Sequence, residues 1–402
     1  MGADRVTAHR LRAHHLDRRL DPGQAHAAAG ACAVQDSPPR SAVIALHARV
    51  ADLDPGWVRD AVEDRSLVHT WAMRGAPFVL PTADLAVFTT GVLPPDEAAR
   101  RRFVVGIEPA LERLDLGMDE AVAHLRSRID EVLRDRRLAI TPLGRELAGA
   151  VADDLPAASR RTWAAEGPYA PGQTWGEAVV HFGLRLLALE QVVCFAPREG
   201  ATLPFVLFEQ WLGRRPPAVG AAAARRAIAR RHLHCYGPST RAEMAAWLGV
   251  APRDAGPWWS AVEDEIREVH VDGQPRWVLD EDLDALSAPP RAAGVRLLPP
   301  HDPLLGLRDR TTLLPRELHG RVWRATGAPG VVLLDGRPVA LWRARTRGDR
   351  LLVDVEPFAP LPPAARDRVE AEAAAIAALR GCSSVSFAVS SATSSATSSA
   401  AP

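Results

Sequence analysis

At 402 residues the chain exceeds what one hydrophobic core supports, so two to four domains are expected. Its 49 basic residues are all arginine and are balanced by 49 acidic ones, which excludes a uniformly basic nucleic-acid binder and confines any DNA contact to a local patch. The lack of lysine removes phosphate-loop NTP chemistry, and no apolar run approaches the roughly 18 residues of a membrane span.

The N-terminus carries charges without an apolar centre, so no secretory signal is expected and the chain is read as cytoplasmic. Region 5–100 opens with a helix-like stretch and ends at the Gly91–Asp96 break (GVLPPD). Region 101–216 is helix-rich at first. Glu120–Arg134 is one amphipathic stretch, and a further helix is expected with Thr141 as its cap and Pro142 as its first residue. Strand-like runs follow at 191–196 and 202–208, and a linker at Arg214–Ala218 closes the region.

Region 217–290 carries the clearest pattern. A helix over 221–236 stops at Gly237 and Pro238, and Thr240 with Glu243 forms a capping box for a second helix, Arg241–Leu248. Gly249 ends that helix. A third is expected from Pro252 through Trp258 and Trp259, both read as core, to Val262. Two alternating runs, 266–271 and 276–279, joined by Asp272-Gly273, then read as a β-hairpin. Helix, turn, helix, helix, hairpin is the order of a winged helix-turn-helix, in which Arg253 is the basic residue of the third helix. The module either touches DNA or serves as scaffold. Region 291–381 is strand-rich, with a tight turn at Asp335-Gly336, and the Ser/Ala/Thr tract 383–402 reads as a disordered tail.

Cys32, Cys194, Cys235 and Cys382 are scattered without a Cys-x-x-Cys pair, which points to buried thiols and not to a zinc site or disulfide framework. His301 and Asp302 have no further ligands nearby in sequence, so no metal and no cofactor is assigned.

Several segments, taken in order, resemble the winged-helix DNA-binding family that includes the AlkZ and YcaQ DNA glycosylases. They are 30–39 (GACAVQDSPP), 45–49 (ALHAR), 70–78 (TWAMRGAPF), 235–249, 298–305 (LPPHDPLL) and 332–342 (VLLDGRPVALW). The resemblance implies an α+β chain of three tandem winged-helix units around a concave DNA-binding surface, followed by a β-barrel-like C-terminal domain. It further implies a monomeric glycosylase that hydrolyses the N-glycosidic bond of bulky N7-alkylated or crosslinked purines in double-stranded DNA, in repair or genotoxin self-resistance. With no lysine for a Schiff base, the enzyme would be monofunctional.

The family carries Gln-apolar-Gln or Gln-apolar-Asp in its first winged helix. Here Ala33 stands at the first position, Gln35 keeps the second Gln and Asp36 follows. Gln35 can orient a water; Asp36 can act as base or stabilise a cationic sugar, or instead cap the turn into Ser37-Pro38. Phe78 stands where relatives often have His, and His69 or His47 could compensate or be structural. The candidate catalytic residues are therefore Gln35 and Asp36, and the candidate DNA contacts are Arg49, Arg74 and Arg253. The rival reading, favoured by Ala33 and Phe78, is a non-catalytic DNA-binding protein or regulator with an eroded site.

Overall fold

The computed structural model describes residues 1–390. The chain divides into two units, each assembled from separated stretches: one holds 29–36 and 58–283, the other 1–28, 37–57 and the chain from Asp284 on. Neither unit is one continuous stretch of chain. The cause is strand pairing between residues far apart in the chain.

The unit containing 58–283 is built on a five-stranded antiparallel sheet in the order β1-β3-β2-β4-β5. Its strands are β1 (Val34–Gln35), β2 (Leu67–Trp71), β3 (Pro77–Pro81), β4 (Val193–Phe195) and β5 (Phe205–Leu207). Every residue of β2 is buried, so both faces of the sheet are covered at its middle. The runs expected near 191–208 do form strands, but they extend the sheet of the first region through a His69–Phe195 pairing. Helices Met118–Leu133, Ile140–Ala152 and Trp175–Leu189 pack on one another beside it. Helix Ile140–Ala152 begins two residues earlier than a Thr141 cap would place it, with Ala139 at the N-cap. Pro142 is tolerated there because first-turn N–H groups have no intrahelical partner.

In the same unit the sequence 221–279 forms helices Ala221–Tyr236 and Arg241–Leu248, then the hairpin of β6 (Ile266–Val271) and β7 (Gln274–Leu279). The capping box is present: Glu243 N donates to Thr240 Oγ1 at 3.2 Å, and Thr240 N donates to Glu243 Oε2 at 2.9 Å. The hairpin turn holds Asp272 at φ 47° and Gly273 at φ 80°, the pair of positive values that a two-residue turn between twisted strands requires. The expected third helix is corrected to a broken series: a 3₁₀ turn Pro252–Asp254, one α-turn Gly256–Trp259 and a 3₁₀ stretch Ser260–Glu265. Pro252, Gly256 and Pro257 interrupt it. Trp258 is fully buried, with Nε1 donating to the Gly91 carbonyl at 2.5 Å, and Trp259 meets Trp277 edge-on at 5.7 Å.

The other unit holds a second five-stranded sheet, β12-β11-β10-β9-β8. Its strands are β8 (Val295–Leu298), β9 (Gly330–Leu334), β10 (Arg337–Arg347), β11 (Arg350–Pro357) and β12 (Ser384–Val389). The first four pair antiparallel. Helix Pro363–Leu379 carries the chain back so that β12 lies parallel to β11. The sheet is open, which corrects the expected barrel: β8 and β12 are its two edges and do not pair. Part of the expected tail is also corrected, because Val385, Phe387 and Val389 alternate with more polar or smaller residues and form β12. The rest of that tail, from 391, lies outside the described residues. Among the described residues no helix is long and apolar enough to cross a membrane.

Two sequence candidates lie in this second unit, Arg49 buried and His47 partly exposed. Arg49 is 1% exposed and makes a two-pronged pair with Asp302, Nη1–Oδ2 and Nη2–Oδ1 both at 2.8 Å, while Nη1 also donates to Ala45 O at 2.7 Å. Asp302 in turn accepts from Leu304 N at 3.0 Å. A guanidinium enclosed in this way cannot reach a DNA phosphate, so Arg49 is corrected from DNA contact to core ion pair. His47 faces Glu372, Nε2–Oε1 3.2 Å, and Arg19 donates to the same carboxylate. Burial pushes Glu372 up, but the His47 hydrogen bond and the Arg19 charge outweigh it and hold the carboxyl below its ordinary value. His47 is thus engaged in an ion-pair cluster with Glu372 and Arg19.

Removing one partner of a buried pair strands the other charge, at a cost of about 3–5 kcal/mol. Asp302→Ala is expected to lower the urea midpoint accordingly, and Arg49→Leu/Asp302→Leu to recover much of the loss. Equal unfolding midpoints for Asp302→Ala and the unsubstituted protein would contradict the assignment.

Candidate active site around Gln35

β1 is two residues long and lies at the edge of its sheet, with Val34 opposite Val79 and Gln35 opposite Phe78. The ladder continues one step further, since Asp36 N donates to Pro77 O at 3.0 Å. Successive side chains on a strand point to opposite faces, so Gln35 and Asp36 diverge. Their partners show it.

Half-buried Gln35 accepts at Oε1 from Arg74 Nη2 at 3.2 Å. Arg74 donates from Nη1 to the Trp247 carbonyl at 2.6 Å, and its guanidinium lies over the Phe78 ring at 5.7 Å. Its backbone is left-handed (φ 58°), an uncommon state for a side-chain-bearing residue. It backs onto Gly249, itself at φ 91°, where a Cβ would fall 2.8 Å from the Arg74 Cα. Glycine is required there for two reasons, sign of φ and closeness of approach. Phe78, buried at the position where relatives often have His, cannot exchange a proton, but its ring face is a seat for the Arg74 cation.

On the other face Asp36 is buried, with Oδ2 3.7 Å from Arg198 Nη2 and 3.9 Å from His69 Nε2. The second distance is an electrostatic contact and not a hydrogen bond. His69 sits on β2, edge-on to Phe195 at 5.2 Å. Burial lowers its pKa to about 4, with Asp36 opposing that shift and Arg198 adding to it, so the ring is neutral at pH 7.

The sequence candidates thus part company. Gln35 and Arg74 are in hydrogen-bond contact, Asp36 adjoins them along the strand but faces away, Arg49 belongs to the core of the other unit, and Arg253 is exposed on the broken third helix. Ala33, where the family has its first Gln, is fully buried and offers no polar group. Sequence reasoning missed Arg198, a lone arginine in a loop with no local signal, and the Trp247 carbonyl, which no side-chain pattern reveals.

Chemically, a carboxamide oxygen has two lone-pair sites. Arg74 takes one, leaving the other to accept from a water, while the NH₂ group remains a donor. The amide does not titrate. Guanidinium groups on both sides of the strand end favour an anionic neighbour such as a phosphodiester.

A family model described as DNA glycosylase AlkZ-like matches residues 28–379. The chain belongs to the AlkZ-like DNA glycosylase family. It is a DNA glycosylase, an enzyme that hydrolyses the bond between a base and its sugar, and its family is one of DNA repair. It is similar to the interstrand DNA cross-link repair glycosylase of Streptomyces sahachiroi, at 29% identity over 395 residues, covering 94% of this chain and 96% of that protein. The solved structure of the Streptomyces sahachiroi DNA glycosylase AlkZ has the same fold, with TM-score 0.75 and 24% identity, covering 97% of this chain and all of that one. The rival reading as a non-catalytic regulator falls away.

Because His69 resists protonation down to about pH 4 in the fold and takes up a proton near 6.5 when exposed, the unfolded chain binds more protons between those values. Stability contributed by the neutral ring is full above pH 6.5 and is lost as pH falls through that window, up to ~3 kcal/mol for the shift to about 4. His69→Phe is expected to flatten the fall in unfolding free energy between pH 7 and pH 5, followed by urea titration; an unchanged slope would count against a buried neutral His69.

Proposed function

We propose that this glycosylase excises bulky N7-alkylated purines, crosslinked ones included, from duplex DNA, with Gln35 orienting the attacking water. Alkylation at N7 places a positive charge on the purine, so the electron pair of the C1′–N9 bond leaves with the base and neutralises it. The water oxygen then forms the new bond to C1′ and the released proton passes to solvent. No proton has to be delivered to the leaving group. The protein supplies position and charge stabilisation, which are the larger contributions in such sites. This chemistry is compatible with Phe78 in place of His and with an amide in place of a base.

The observation that carries the reading is the Arg74–Gln35 hydrogen bond at 3.2 Å, which fixes the amide on the face away from Asp36. Asp36 then acts as a positioning residue, the counter-charge that holds Arg198 beside the strand. N7 lies in the major groove, where a bulky adduct is accessible without reading the Watson–Crick edge. The helix Trp57–Glu63 followed by the β2–β3 hairpin repeats the helix-then-hairpin order of 241–279, which supports tandem winged-helix units as the DNA-binding frame. The absence of lysine supports a monofunctional enzyme. A monomer suffices for this reading, because Gln35, Arg74 and Asp36 come from one chain.

Duplexes carrying N7-alkylguanine adducts of increasing bulk, cleaved with alkali at abasic sites after incubation, test the proposal. Gln35→Ala is expected to lower single-turnover excision by about 10²-fold or more. Asp36→Asn should lower it by less than about tenfold, since Asn keeps the turn but not the charge. Excision by Gln35→Ala at the unsubstituted rate would sink the role of the amide, and excision confined to small adducts would sink the substrate class.

A further inference from the structure

The turn that follows Asp36 in the chain leads into a second polar feature, wholly within the unit built on β8–β12. A cavity of about 490 Å³ is lined by the 38–41 turn, by the Trp342–Thr346 stretch of β10 and by Arg380 at the end of helix Pro363–Leu379. Three guanidinium-bearing residues line it, Arg40, Arg343 and Arg380, and no carboxylate does among the described residues. Ser41 and Thr346 add hydroxyls, and Trp342 forms an apolar wall with its Nε1 already engaged by the Leu298 carbonyl at 2.7 Å.

The charges here are poorly compensated. Nε of Arg380 is buried with no hydrogen-bond partner among the described residues. Burial first, and then the neighbouring Arg40 charge, lower its pKa from the ordinary arginine value. Arg343 gives one N–H to the Gly327 carbonyl at 2.9 Å and is otherwise exposed. Arg40 is exposed and held at φ 69°. Like charges gathered in a partly dry cavity without counter-charge destabilise the fold until an anion joins them. A volume near 490 Å³ accommodates a group of nucleotide size. Arginine forks match the paired oxygens of a phosphate.

We propose that this cavity is a phosphate-binding site that clamps the sugar-phosphate backbone of DNA, the phosphodiester lodging among Arg40, Arg343 and Arg380. The proposal rests on DNA being the substrate, and does not depend on the lesion class or on the role of Gln35.

Fluorescence anisotropy of the full chain on an undamaged duplex, over a series of salt concentrations, tests it. Each phosphate contact contributes about one to the slope of log affinity against log salt. Arg40→Gln/Arg380→Gln is expected to reduce that slope by about two, and Arg40→Lys/Arg380→Lys to restore most of it. Should the Gln pair not fold by circular dichroism, the single exposed variant Arg40→Gln is expected to reduce the slope by about one. An unchanged slope in a folded Gln variant overturns the proposal. Thermal stabilisation of the unsubstituted protein by inorganic phosphate, lost in the Gln variant while the DNA slope stays the same, assigns the cavity to a free anion and also overturns it. The duplex is undamaged, so a failure of the excision proposal leaves this readout intact.

Discussion

Arg74 divides its guanidinium among three chemically different neighbours: a backbone carbonyl, a carboxamide oxygen and the face of an aromatic ring. Arginine can only donate hydrogen bonds, so the Gln35 oxygen must turn toward it and the NH₂ group away. A free carboxamide could flip and exchange the two ends. The same cation ties the edge strand of the sheet to the C-terminal end of helix Arg241–Leu248 through Trp247. One side chain therefore both orients the amide and links helix Arg241–Leu248 to the sheet.

Its counterpart is the arginine economy of the rest of the chain. With no lysine available, arginines serve as structural cations as well as candidate phosphate ligands. Arg49 with Asp302, Arg10 with Asp309 and Arg276 with Glu243 are all matched to carboxylates within their units. Such pairs neutralise in place part of the positive charge of a chain whose formal net charge is zero. The cavity at Arg40, Arg343 and Arg380 stands out because that matching is missing from its lining.

How much of this was legible in the sequence follows the distance over which each feature is determined. The capping box at Thr240, the Asp272-Gly273 hairpin and the Asp335-Gly336 turn are encoded within a few residues, and all three are present. The third helix of the same module was misread because Pro252, Gly256 and Pro257 outweigh its apolar spacing. The β1–β5 sheet was not legible as one object: β2 meets β4 through His69 and Phe195, more than a hundred residues apart in the chain. Arg49 failed for the same reason, its partner lying 253 residues downstream. Motif order singles out Gln35 as a candidate, and its contact with Arg74 is a feature of the fold. That Asp36 faces away from it follows from strand alternation, but a strand of two residues gives no periodicity to read.

The interleaving of the two units has a consequence for how the enzyme can be taken apart. Residues 29–36, which bring β1 and Gln35 to the sheet, are bounded on both sides by stretches belonging to the other unit. A contiguous fragment such as 58–283 would retain β2 to β5, the helices beside them and the entire 221–279 module, yet leave β3 as a bare edge without the strand that carries Gln35. Truncation would thus yield a scaffold with an open hydrogen-bonding seam, prone to accept a foreign strand. Closing that seam costs the loop entropy of threading β1 back into place.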